Sequence, residues 1–124
     1  MTTIKPFLTV SNGIKAVEFY ISAFGAVETK RFDMPGGKLS SVLRIEDAEF
    51  YVADEEPEND NLSPEHTSGS PVRIVLNSGN ADALFAQAVK QGAVELCPMT
   101  TEEDWRIGKL KDPFGHTWEI GYTL

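Results

Sequence analysis

The sequence predicts an α+β fold made of two tandem β-α-β-β-β modules, and three features carry that prediction. The order of strand and helix patterns runs twice through the 124 residues. The helix stop and strand start Phe24-Gly25-Ala26-Val27-Glu28 returns as Gln91-Gly92-Ala93-Val94-Glu95. The stretch Asp112-Pro113-Phe114-Gly115-His116-Thr117-Trp118-Glu119-Ile120 reads as a turn feeding a strand. Pro presets φ, Gly accepts positive φ, and apolar and polar residues then alternate through Tyr122. That alternation puts Thr117, Glu119 and Gly121 on one face and Trp118, Ile120 and Tyr122 on the other, so Glu119 points away from the apolar side.

Composition narrows the class. A hydrophobic share of 41% and seven Phe are enough for a core, and a charged share of 24% is ordinary, which excludes a disordered chain. No apolar run reaches bilayer length, and the start Met-Thr-Thr-Ile-Lys-Pro carries no secretory pattern. The single cysteine, Cys97, excludes an internal disulfide and fits a reducing cytoplasm. It reads as a small apolar filler near a strand end, with no basic neighbour in sequence to activate it. A net charge of -8 with eleven scattered basic residues argues against nucleic acid.

The elements follow in order. A strand at Ile4 to Val10 is broken by Ser11-Asn12-Gly13, which supplies a candidate N-cap. Ile14, Val17, Ile21 and Phe24 then recur at helical spacing with Tyr20 beside them, and Gly25 stops the helix. Phe19 falls off that stripe and needs a second contact surface or stays partly exposed. Strands are expected at Val27 to Asp33, Lys38 to Ile45 and Glu49 to Ala53, turning at Pro35-Gly36-Gly37 and Glu46-Asp47. The acidic stretch from Asp54 to Gly69 reads as a solvated linker, with His66 a mobile surface imidazole. Beyond it come a strand at Pro71 to Asn77, a helix from Asn80 to Gln91 stopped by Gly92, and strands at Ala93 to Cys97, Trp105 to Lys111 and His116 to Tyr122. The organisation is one domain: a first module at 1–54, an acidic linker at 55–69 and a second module at 70–124.

Two such halves ending in Asp-Pro-Phe-Gly-His-Thr-Trp-Glu-Ile resemble the vicinal oxygen chelate superfamily of glyoxalases, bleomycin-resistance proteins and extradiol dioxygenases. Lys5-Pro6-Phe7-Leu8-Thr9-Val10, Ala16-Val17-Glu18-Phe19-Tyr20, Ala23-Phe24-Gly25-Ala26, Pro71-Val72-Arg73 and Ala81-Asp82-Ala83-Leu84-Phe85 are most similar to its PhnB-like branch. The resemblance implies a cupped mixed sheet around a cavity and a small-molecule ligand. It also implies a homodimer, with no nucleic-acid or membrane partner. In many members His and carboxylate side chains from four strands hold a divalent metal. Here the matching positions are Lys5, Arg73, Glu119 and, depending on a one-residue register choice, Tyr51 or Val52. Charged Lys and Arg cannot ligate a metal, and Tyr and Val are not hard-metal ligands.

The expectation is therefore a small-molecule-binding protein without a cofactor. If a divalent metal were present, Glu119 and the displaced Asp54 would be its ligands. Arg73, together with Lys5, is expected to pair with Glu119 and form a polar anchor for a carboxylate or carbonyl. The expected ligand-binding set is Lys5, Phe7, Thr9, Arg73, Val75, Asn77, Trp105, Thr117 and Glu119. The alternative is a metal-dependent lyase, isomerase or dioxygenase in which Glu119 is the catalytic base or a metal ligand. His116 is expected at the turn, bonded to backbone, and Trp118 in the core. Ser40 and Ser41 lack the His and Asp a nucleophile needs.

Overall fold

The structure, a computed structural model, describes residues 2–67 and 69–124. Met1 and Ser68, which the predicted boundaries place in the first module and the linker, lie outside the described residues. The chain runs β1 (Phe7–Val10), α1 (Gly13–Phe24), β2 (Val27–Met34), β3 (Lys38–Ile45) and β4 (Ala48–Asp54), and then β5 (Arg73–Asn77), α2 (Ala81–Lys90), β6 (Val94–Glu102), β7 (Trp105–Lys111) and β8 (Thr117–Thr123). Each half forms its own four-stranded mixed sheet, in the orders β1-β4-β3-β2 and β5-β8-β7-β6. In each, the first strand lies parallel to the last and the other pairs are antiparallel. The two-module α+β architecture read from the sequence is the architecture of the molecule.

Element ends differ from the sequence reading where backbone chemistry intervenes. β1 begins at Phe7 rather than Ile4, since Pro6 has no N–H to give, although its carbonyl still accepts from Tyr51 N. β6 runs on to Glu102 instead of stopping at Cys97. Its register shifts on either side of Cys97, and Pro98 is tolerated because β6 is an edge strand.

Helix α1 starts as its capping chemistry requires. The Asn12 side chain accepts from Lys15 N, and Gly25, at φ 66°, closes the C-terminus in a left-handed conformation that other residues adopt reluctantly. Its buried face departs from the predicted stripe. Ile14 and Ile21 are 45% and 43% exposed, whereas Phe19 and Tyr20 are buried. The reason is the second module, which packs on the flank of α1 that the sequence left free. Phe19 meets Phe114 at 6.2 Å and Phe24 meets Trp118 at 4.8 Å between ring centroids. The two halves thus share one core, with Phe50 and Trp118 5.8 Å apart across the join.

One buried carboxylate fastens that join. Asp112 Oδ1 accepts from the backbone N–H groups of Phe114 and His116 at 2.9 and 3.0 Å. Its Oδ2 accepts from Tyr20 Oη at 2.6 Å and Trp118 Nε1 at 2.9 Å. Burial, reinforced by the Asp112 charge, pushes the Tyr20 hydroxyl well above the ordinary tyrosine value and keeps it a donor.

The linker is mostly exposed, as the sequence predicts, but it is also tied down. Single 3₁₀ turns occupy Pro57–Asn59 and Pro64–His66. Glu55 Oε2 accepts from Ser63 N at 3.0 Å and lies 2.8 Å from His66 Nδ1, so the His66 ring is exposed but held. The Ser63 amide and His66 draw the Glu55 carboxyl below its ordinary value.

Candidate functional site

The alternation of each strand separates a face packed on the helices from an open face. On the second sheet, Trp118 and Ile120 turn inward, while Thr117 and Glu119 stay partly exposed. Register then sets the neighbours of Glu119. It lies beside Val75 on β5 and opposite Lys109 on β7, and Thr117 lies beside Arg73 and opposite Lys111. Arg73 Nη1 reaches Glu119 Oε1 at 3.4 Å. A carboxylate in contact with a guanidinium, with a lysine at the cross-strand position, can both give and accept hydrogen bonds on this sheet face.

Among the predicted ligand-binding residues, Arg73, Val75, Asn77, Thr117, Glu119 and Trp105 belong to the second sheet, where Val75 pairs with Glu119, Arg73 contacts it, and Trp105 pairs with Thr123 four residues further along β8. Lys5, Phe7 and Thr9 belong to the first half. Lys5 does not pair with Glu119. It forms an ion pair with Glu49 and sits 5.9 Å from the Tyr51 ring centre. Its hydrogen bond to Glu49 raises the Lys5 pKa above the ordinary lysine value. Phe7 packs on Tyr51 at 5.5 Å, and Phe7 and Thr9 line a 380 Å³ hollow with Met34 and Ser40, to which Glu56 and Asn61 of the linker also contribute. Glu119 borders a smaller hollow of 210 Å³ with Cys97, Thr100, Ile107 and Lys109.

The register choice is resolved by burial. Val52 is fully buried against the helices, whereas Tyr51 is partly exposed on the open face, so Tyr51 holds the first-half position that matches Glu119. The four designated positions are thus Lys5, Tyr51, Arg73 and Glu119, two cations, a phenol and one carboxylate. That donor set does not fit a divalent metal. Among the described residues no group of three or more His, Cys, Asp or Glu is placed to hold one. Asp54 offers no substitute. Its two carboxylate oxygens accept from Gly13 N and Leu39 N, both at 2.8 Å, which ties the start of α1 to β3 on the helix side.

Other residues fall as follows. His116 Nε2 lies 2.8 Å from the Thr9 carbonyl, a backbone contact between halves. Trp118 is 2% exposed in the core and Trp105 is exposed. Ser41 is buried with its hydroxyl on Glu28 Oε2 at 2.6 Å. Cys97 departs from the filler reading. It is exposed, and its cross-strand partner is the basic residue Lys109. Sequence reasoning missed Lys109 itself. The period-two pattern of Trp105 to Lys111 held the signal, because pairing that strand antiparallel to β8 sets Lys109 against Glu119.

These features define a class, a two-module α+β protein with a carboxylate and a guanidinium in contact on the open face of its second sheet. Comparison with known proteins narrows it. The chain belongs to the glyoxalase/bleomycin resistance protein/dioxygenase superfamily, whose sequence profile matches residues 3–120. It is similar to an uncharacterized protein of Mycobacterium bovis, 35% identical over 127 residues that span 98% of this chain and 83% of that protein. The X-ray structure of an Arabidopsis thaliana gene product, At5g48480, is 34% identical with a TM-score of 0.68, covering 96% of this chain and 95% of that one. TioX from Micromonospora sp. ML1 matches with a TM-score of 0.76 over the whole of both chains at 19% identity, a likeness of fold. No helix among the described residues is long and apolar enough to cross a membrane.

Proposed function

We propose that this protein binds a small molecule without a metal, on the open face of the second sheet, and that it falls within the PhnB-like branch of the superfamily. The observation that carries this reading is the Arg73–Glu119 contact at 3.4 Å, which puts a cation where a metal site needs a donor. Arg73 and Lys109 hold a ligand carboxylate or carbonyl. Glu119 orients Arg73 and accepts from a ligand hydroxyl or amine, and Ile107 and Val75 supply apolar area nearby. Glu119 here is a binding residue.

The assembly we assign is a homodimer. Phe7, Phe32, Val75 and Trp105 lie on open faces and are 58%, 57%, 53% and 43% exposed, apolar area that a second copy would cover. The single exposed thiol suits a reducing cytoplasm. A thermal-shift screen of small carboxylates and carbonyl compounds, run with and without divalent ions, tests the function. Stabilisation that ignores divalent ions and is lost in Arg73→Gln supports binding. Stabilisation only with divalent ions refutes it.

A further inference from the structure

A further hollow borders neither member of the Arg73–Glu119 anchor. A cleft of 530 Å³ opens at the seam between the halves, within the range of roughly 300 to 1,000 Å³ usual for small-molecule sites. The first half contributes Ile45 and Phe50 to its walls, and the second contributes Ile74, Leu76 and Trp118. Most of these side chains alternate toward the helices, while Val75, Lys5 and Glu49 reach the cleft from the open faces, so it runs along the seam between the shared core and the sheet faces. Neither Arg73 nor Glu119 borders it.

Its titratable rim consists of Lys5, Asp47 and Glu49. Lys5 is already engaged by Glu49. Asp47 is exposed and forms no ion pair among the described residues. An apolar hollow with one uncompensated carboxylate at its mouth has a definite preference. A cation gains a partner there, whereas an anion must first displace Glu49 from Lys5.

We propose that this cleft is a second binding site, for a compact apolar molecule carrying one protonated amine. Its body lies against Phe50, Leu76 and Trp118 and its amine at Asp47. Trp118 supplies the readout. In a Trp105→Phe background it is the sole tryptophan, so a ligand against its ring changes its emission.

The test is a titration of that variant with three isosteric probes, 4-phenylbutylamine, 4-phenylbutanol and 4-phenylbutanoate. The expected result is saturable binding of all three, with the amine about threefold to fivefold tighter than the alcohol, the gain an exposed charge pair gives, and the carboxylate weakest. Asp47→Asn, a substitution in an exposed turn, brings the amine to the affinity of the alcohol. Ala48→Phe, which fills the mouth from an exposed position, abolishes the response. No saturable change with the amine, equal affinity for amine and carboxylate, or an Asp47→Asn variant that keeps the preference each overturns the proposal. Should Ala48→Phe fail to fold, as circular dichroism would show, the Asp47→Asn comparison decides alone. Arg73→Gln leaves these titrations unchanged, which keeps this site distinct from the sheet-face anchor.

Discussion

Replacing Asp112 by Asn removes a charge and two lone pairs from the join between the halves while keeping the side-chain shape. Four donors converge on this carboxylate: Phe114 N and His116 N on Oδ1, Tyr20 Oη and Trp118 Nε1 on Oδ2. If the amide nitrogen takes the Oδ1 position, two backbone N–H groups lose their acceptor. If it takes the Oδ2 position, the Tyr20 hydroxyl can rotate to accept, but the indole N–H of Trp118 is left facing another donor. The second arrangement is cheaper. It costs about 1 to 3 kcal/mol for one buried unsatisfied donor, and conversion of the remaining charge-assisted bonds to neutral ones brings the total to about 2 to 4 kcal/mol. For a chain of this size each kcal/mol lowers the melting temperature by about 3 to 4 °C, so a fall of about 10 °C is expected. Differential scanning calorimetry of wild type and Asp112→Asn at neutral pH measures it. A fall of less than about 3 °C would show that the four bonds are not the fastening the structure indicates.

Other consequences can be checked alongside. Burial raises the Tyr20 pKa in the folded state, so its stabilising contribution is complete below the unfolded value of about 10 and is lost as pH rises beyond it. Urea unfolding should show a steeper loss above that pH in wild type than in Tyr20→Phe. Glu55 behaves oppositely. Its folded pKa is lowered by the Ser63 amide and His66, so its contribution is present above the unfolded value near about 4.3 and disappears as pH falls below it. Protection of the Ser63 amide from exchange, measured against its intrinsic rate at each pH, should fall across that acid range, and Glu55→Gln should show reduced protection throughout. Gly121→Ala would bring a methyl group to 2.2 Å from the Arg106 carbonyl, so the β7–β8 pair must separate. A loss of about 2 kcal/mol or more in chemical denaturation is expected, and an unchanged midpoint would contradict the packing.

Fold and site were legible in the sequence to different depths, for physical reasons. Strand period, glycine stops and turn residues are local signals, and they carried the repeated element order and the match of β7, read from Trp105 to Lys111, to its observed bounds. What they could not carry was the packing of one half on the other. Ile14 and Ile21 keep helical spacing with Val17 yet remain exposed, because Phe114 and Trp118 approach α1 from the flank of Phe19 and Tyr20. At the site, the contact of Arg73 with Glu119 follows from residues that share a parallel pair. Lys5, at the matching place in the other half, turns to Glu49, an adjacent carboxylate that Thr117 replaces in the second half. Lys109 was missed and Cys97 read as a filler because their placement depends on the β7 and β6 registers, the latter shifted by irregularities that no period reveals.

The donor set at Lys5, Tyr51, Arg73 and Glu119 does not suit a divalent metal. Elemental analysis of the protein purified without chelators addresses it in one measurement. Substoichiometric metal, unchanged by incubation with zinc, nickel or iron followed by desalting, is the predicted result. One equivalent of any of these ions per chain, lost in Glu119→Gln, would contradict it.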